Sequence, residues 1–528
     1  MDLVIKSKNK SILEIIKRDF ITDWKCFIII LISSLVFHLI LWKSWPLYSG
    51  ADASTYIYYF LDFFNPQPVF QNLMCFRTPI APFFYGINLS LGGSLLTSVI
   101  LEFIALTATI MVYLITLAWG KMTSRVAVII FVLMVPYQLQ FHQVGSDAIF
   151  SWLALVFIFL IRYITEYESQ FLWIILGIVL SLLTLTRPGG IAFLAIIIFT
   201  PFLKVNWKKK LKNVSLFLLS IIIILGSYVI YKGVRYDDYS IARGFGHTLS
   251  YRVFVIQDNT IKSENGPASK ELINIIENNI LTTEVYKEYE VTLHDFLSYK
   301  PNSRFHGDLI SAVDQYKGWN SNYNILLQMS LESIRANPGI YFEKYMKDVG
   351  GLLLKNPEIP DDIIANVLAT DKILNDSGLP LPTEGQMIPY SNHWWMSTRS
   401  DGTFATEKEV NEFKGKAESL IKYFRNNTGS IGIKTIFNKF WRYLNIPIAF
   451  FWIFGFLGLI CSRGVKRIFL MILPLLVLVY ILENLLGAPS WLKYRLTLDS
   501  YIMIFGVLGA VTFMKFIIKK INRVKPNL

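Results

Sequence analysis

The strongest constraint on this chain is a recurrence of long apolar runs that carry almost no charge. The first extends from Lys25 to Trp45, and others lie near 94–119, 124–140, 147–164, 171–187, 189–203, 213–231, 446–462, 467–487 and 497–516. An α-helix rises about 1.5 Å per residue, so about twenty residues cross a hydrocarbon layer about 30 Å thick. Such a chain has to satisfy its backbone polar groups inside each crossing segment, which selects helices. The expected fold class is therefore an α-helical polytopic membrane protein with about ten transmembrane helices. Met1 to Asp23 is of mixed charge and the first run is long. Together they read as a retained first helix rather than a cleaved signal peptide.

A net charge of +13 raises the question of nucleic acid. The distribution of the charge answers it. Lys208, Lys209, Lys210, Arg463, Lys466, Arg467, Lys519 and Lys520 all fall on one side of the ten expected spans. The short segments of the other side carry only Lys43, Arg77, Arg187, Lys493 and Arg495. Positive residues favour the cytoplasmic side, so both termini are expected inside and no nucleic-acid partner is expected. The partners implied are membrane lipids.

The expected organisation is a cytoplasmic N-terminus (1–24) and a first transmembrane module (25–231) whose first outer loop is 46–93. An extracytoplasmic, mainly helical domain (232–442) follows, then three closing spans with a basic tail (443–528). The loop 46–93 is rich in aromatic residues from Tyr56 to Phe64 and reads as interfacial helices, with a break at Gly92-Gly93. Helical stretches are expected at Lys270–Asn279 and at Ile325–Leu354, the latter interrupted at Asn337-Pro338-Gly339. Cys26, Cys75 and Cys461 lie far apart without a CxxC, and the six histidines show no HExxH spacing. No metal is assigned. Carboxylates alone can hold a divalent ion, so metal dependence stays open.

Charges in or beside spans are costly and usually face an interior or a water-filled cavity. Here they gather toward one side. Asp52 and Arg77 lie in the first outer loop, Glu102 in the outer half of the second span, and Asp147 at the start of the fourth. Arg187 closes the fifth, Glu483 is near the outer end of the ninth, and Lys493, Arg495 and Asp499 surround the last outer turn. Each also has a plainer reading. Asp52 and Asp147 can be helix N-caps. Arg187 can snorkel to headgroups, and Lys493 and Arg495 can bind them. Glu102 can pair with a basic side chain to settle the bundle, and His142 can be an interfacial polar residue. Trp394 and Trp395 in Asn392-His393-Trp394-Trp395 can rest on the membrane or on the bundle.

Four motifs in this pattern resemble the GT-C superfamily of integral-membrane glycosyltransferases. An acidic residue follows the first span in Gly50-Ala51-Asp52. Ser146-Asp147-Ala148 opens the fourth span, after Pro136 near the end of the third. Thr186-Arg187-Pro188-Gly189 joins the fifth and sixth, and Tyr494-Arg495-Leu496 opens the last. The branch they look most like comprises bacterial relatives of protein O-mannosyltransferases and of the lipid A aminoarabinose transferase. The likeness covers 25–231 well and the final spans loosely, and residues 232–442 match no named domain. The Glu that neighbours the first-loop Asp in eukaryotic protein mannosyltransferases is missing here, which speaks against a protein acceptor.

The resemblance implies a bacterial cytoplasmic-membrane enzyme working on the extracytoplasmic face. Its donor would be a sugar on polyprenyl phosphate, and its acceptor a hydroxyl of a cell-envelope glycan, lipid or protein. It implies a GT-C fold; the lipid-linked sugar donor is a substrate, no cofactor is assigned, and a divalent metal stays open. Asp52 would be the general base of an inverting transfer, and Arg77, Arg187, Lys493 and Arg495 would neutralise the donor phosphate. Glu102, His142, Asp147, Glu483 and Asp499 would complete the polar cavity. Three other readings stay open: an O-antigen polymerase or ligase, a transporter or lipid flippase, and a non-enzymatic scaffold. The absence of an internal repeat and the one-sided charges weigh against a transporter.

Overall fold

The computed structural model describes residues 24–50, 52–166, 169–203, 205–256, 259–298, 304–357, 397–425, 429–444, 446–487 and 492–524. Most of these residues are helical. Among the described residues, six helices are long and apolar enough to cross a membrane: Trp24–Ser44, Ile80–Trp119, Ser146–Thr165, Trp207–Tyr236, Gly464–Gly487 and Asp499–Asn522. The pair Lys121–Leu133 and Val135–His142 adds a seventh if it is one span, bent by 71°. The bend falls at Met134, two residues before Pro136, whose ring cannot continue the preceding helix. The other three expected spans are shorter apolar helices, Gln170–Thr186, Pro188–Phe202 and Ile448–Cys461. Pro188–Phe202 is wound as a 3₁₀-helix, with Pro188 in its first turn and Pro201 near its end.

The spans are buried to very different degrees, which defines the layout. Ser146–Thr165 is the central pillar, with 78% of its apolar window buried, whereas Trp24–Ser44 and Trp207–Tyr236 are peripheral at 22% and 17%. The peripheral helices present Ile29, Ile32, Val36, Ile222 and Ile230 outward, as helices facing lipid do. Small residues allow the closest approach. Gly458 and Gly509 put the backbones of Ile448–Cys461 and Asp499–Val524 in direct contact, so that a Cβ on Gly458 would lie 2.1 Å from the Gly509 Cα.

The first loop is folded onto the bundle. Its aromatic helix Ala53–Asp62 buries Tyr56, Tyr58 and Tyr59 while Phe64 just beyond stays exposed. Residues 80–116 are continuous except at Gly92 and Gly93, where Gly93 has a positive φ of 60° that an L side chain rarely adopts. That is the expected break.

Between 232 and 442, the helices from Phe245 to Tyr341 surround a core of their own, built on Phe254, Leu272, Phe296, Leu309 and Met329. Val349, Leu352, Val410, Phe413 and Phe424 instead join the core of the spans. Helix Asn324–Ala336 ends at Asn337 and Pro338–Leu354 restarts there, as the Asn-Pro-Gly sequence requires. Arg243 fastens the segment to the first loop. It donates to Asn72 Oδ1, to Asp314 Oδ1 and to the Trp319 carbonyl, each at 2.8 Å. Trp394 and Trp395 lie outside the described residues.

Candidate active site

The site is organised by a two-residue parallel bridge. Tyr48–Ser49, just after the first span, pairs with Gln143–Val144, just before the central pillar. Gly50 N–H extends it by donating to the Val144 carbonyl at 3.2 Å. A Cβ at Gly50 would lie 2.6 Å from that same carbonyl oxygen, so only glycine permits this approach. The Tyr85 hydroxyl secures the other strand by donating to the Gln143 and Gly145 carbonyls, both at 2.9 Å. As a result Asp52 and Asp147, far apart in sequence, leave the same bridge side by side.

Asp52 occupies the N-cap position of helix Ala53–Asp62, but its side chain makes no capping hydrogen bond. The carboxylate turns to Arg77 instead, with Oδ1 2.7 Å from Nη2, and Oδ2 lies 3.9 Å from Lys493 Nζ. Burial alone would raise the proton affinity of Asp52. Arg77, Lys493 and Arg187 outweigh it and hold the carboxyl well below the usual carboxylate range. The carboxylate is heavily surrounded by protein, yet 37% of its side chain stays accessible. Arg77 is 21% and Lys493 34% exposed. Arg77 stacks over Tyr56 at 5.4 Å, and its Nε is buried without a hydrogen-bond partner.

Arg187 and Asp147 form the second half. Arg187 caps the end of Gln170–Thr186 in the extended conformation that the following Pro188 demands. Its Nη2 donates to Asp147 Oδ1 at 2.5 Å and its Nε to Ser146 Oγ at 2.7 Å. Ser146 also accepts from the Tyr56 hydroxyl at 3.2 Å. Asp52, Arg77, Tyr56, Ser146, Arg187 and Asp147 thus run as one continuous polar path. Glu483 stands behind it, accepting from Asn484 Nδ2 at 3.0 Å and close enough to Gly189 that a Cβ there would lie 2.6 Å from its Oε2.

The remaining expected residues go elsewhere. Arg495 is fully buried, and its guanidinium is used up. Nε and Nη2 donate to Asp499 at 2.8 and 3.2 Å, and Nη1 to the Leu352 carbonyl at 2.9 Å and to that of Lys355. Each of its three nitrogens is engaged within a fully buried pair, which leaves Arg495 and Asp499 closed off from the accessible carboxylate of Asp52. Glu102 and His142 meet beneath the bridge, together with His38. Sequence reasoning missed Tyr56, Ser146 and Tyr85 as site residues. Ser146 stood within a noted motif, whereas nothing local distinguishes either tyrosine among the many in this chain.

No protein-family model matches the chain, and no curated protein does. Two solved structures are similar to it. One is the oligosaccharyltransferase of Archaeoglobus fulgidus in its apo form, at 13% identity and a TM-score of 0.38, covering 94% of this chain and 52% of that one. The other is ArnT from Cupriavidus metallidurans bound to undecaprenyl phosphate, at 10% identity and a TM-score of 0.33, covering 93% of this chain and 77% of that one. The chain spans about half the length of the archaeal enzyme. Both belong to the GT-C superfamily that the sequence resembles. Likenesses this loose carry no correspondence between residues.

Proposed function

We propose that this chain is a membrane glycosyltransferase that moves a sugar from a polyprenyl-phosphate donor to an acceptor hydroxyl on the extracytoplasmic face, with inversion. The observation that supports it most is the accessible carboxylate of Asp52, held between two cations at the end of a bundle of apolar helices. A lipid-linked donor keeps its tail among such helices and brings its phosphate to their ends. The C. metallidurans neighbour was solved with a lipid of that class.

The low proton affinity of Asp52 makes it a poor base while it is paired. The donor removes that obstacle. A phosphate that engages Arg77 and Lys493 by charge-assisted hydrogen bonds draws them from the carboxylate, and the proton affinity of Asp52 rises toward its ordinary value. Base strength is then coupled to donor binding. The freed carboxylate accepts the proton of the acceptor hydroxyl as its oxygen attacks the anomeric carbon. The glycosyl-phosphate bond breaks, and the negative charge gathering on the leaving phosphate is met by Arg77, Lys493 and Arg187. One carboxylate suffices, because the phosphate departs as an anion without being protonated. Asp147 orients Arg187, and Arg495 with Asp499 supports the last turn.

The test is to incubate purified protein with polyprenyl-phosphate sugars and an acceptor extract and to follow released polyprenyl phosphate by mass spectrometry. Release that depends on acceptor supports the proposal. No turnover with any donor in the panel, from folded protein, would overturn it in favour of a transporter or scaffold.

A further inference from the structure

Beneath the bridge lies a cluster with no role in the reaction proposed above. His38 belongs to the first span, Glu102 to the long helix Ile80–Thr116, and His142 to the residue just before strand Gln143–Val144. His38 Nδ1 is 3.0 Å from Glu102 Oε2, and His142 Nε2 is 3.5 Å from Glu102 Oε1. One ligand atom from each of the three lies within 4.8 Å of the other two. The side chains are deep, at 0% exposed for His38, 1% for His142 and 12% for Glu102.

Hydrogen bonding does not account for this arrangement. His38 Nδ1 and Nε2, Glu102 Oε2 and His142 Nε2 are all buried without a hydrogen-bond partner. Leaving buried polar groups unpaired is costly, so they need another partner. The 3.0 Å approach of His38 Nδ1 to Glu102 Oε2 lacks hydrogen-bond alignment. Two ligands of one tetrahedral ion, each about 2.0–2.1 Å from it, sit about 3.3 Å apart, close to the two distances observed.

We propose that His38, Glu102 and His142 bind a divalent transition-metal ion. Two imidazoles and one carboxylate suit zinc, or cobalt in its place, better than magnesium or calcium, which prefer all-oxygen sets. The ion is a clamp. It ties the first span and the residue before Gln143–Val144 to a common helix, directly behind the bridge from which Asp52 and Asp147 emerge. His38, Glu102 and His142 are thus positioning residues, and the site stands whether or not the transfer reaction is the right one.

The experiment uses the full chain purified in detergent, stripped with a chelator and titrated with Co²⁺. Wild type is expected to bind one Co²⁺ per chain, with the visible absorption of nitrogen-ligated, low-coordinate cobalt, and Zn²⁺ is expected to displace it. Glu102→Gln and His142→Gln are expected to lower Co²⁺ affinity by more than about tenfold. Asp52→Asn, outside the cluster, is expected to bind as wild type does. Wild type that shows no such spectrum and no stoichiometric uptake overturns the proposal without recourse to any variant. So does unchanged affinity in both Gln variants, or uptake lost equally in Asp52→Asn.

Discussion

Arg77 with Asp52 and Arg495 with Asp499 are the same chemical pair in two surroundings. Arg77 makes one short contact to its aspartate, and both partners remain partly open. Arg495 is 0% exposed, as is Asp499, and every nitrogen of its guanidinium donates to a carboxylate or a backbone carbonyl. The first pair can exchange partners at little cost, because both of its side chains remain partly open to solvent. The second cannot. Opening it strands a charge in a site without water, where the penalty is several kcal/mol. An accessible pair that is incompletely satisfied has capacity left for a ligand. A closed pair of identical composition is structure. Here it joins the last turn to the end of helix Pro338–Leu354.

The sharpest way to break this contrast is Asp52→Asn. Release of polyprenyl phosphate is expected to fall by about 10²- to 10⁴-fold, the usual worth of a positioned base, while thermal unfolding in detergent stays close to wild type. Retained turnover would remove Asp52 from the chemistry and leave it a surface charge. Arg495→Met probes the other pair. It is expected to cost about 3–5 kcal/mol of stability, read from thermal or denaturant unfolding, because Asp499 is left buried and unpaired. Turnover per folded molecule is expected to survive. A folded Arg495→Met protein with weakened donor affinity would show that the closed pair opens in use.

Arg77→Ala is expected to have a smaller effect, about 10- to 100-fold in kcat/KM for the donor, the worth of one charge-assisted hydrogen bond. Titrating the donor checks it, and an unchanged KM and kcat would mean that the phosphate goes elsewhere. The smallest effect is on pH dependence. The Asp52 carboxyl has a folded-state proton affinity below its unfolded one, so its pairing stabilises the fold above the ordinary carboxylate range near pH 4 and is lost as pH falls through the folded value. The stability difference between wild type and Asp52→Asn is therefore expected to be small and flat from about pH 8 to pH 5 and to shrink only in stronger acid. Melting curves across that range test it. A difference that vanished already near pH 6 would mean that Arg77 and Lys493 do not hold the carboxylate.

Much of this was legible along the chain. Apolar runs foretold where the helices lie and Gly92-Gly93 foretold the break in the long one, whereas the bend beside Pro136 was not expected within the span at 124–140. Asp52, Arg77, Arg187, Asp147 and Lys493 stood out because charges beside apolar runs are rare. The division of labour among them was not legible. Arg495 and Arg77 look alike as letters, and only packing against the Leu352 and Lys355 carbonyls consumes the donors of one. The histidine–glutamate cluster was invisible, since His38, Glu102 and His142 share no spacing and meet only because three elements cross beneath the bridge. Asp52 looked like an N-cap from its position, and the structure turns its carboxylate away from the cap toward Arg77.

The sequence alone determined the solvent in which this protein folds, the places where helices start and bend, and the set of charges too costly to be incidental. These follow from hydropathy and backbone stereochemistry, which act over a few neighbouring residues. Tertiary structure decided which charges meet, which are sealed and which stay open. That depends on the two-residue pairing of Tyr48–Ser49 with Gln143–Val144 and on helices brought together across most of the chain's length. Interactions between distant residues leave no local trace, because their energy exists only once the chain has closed on itself.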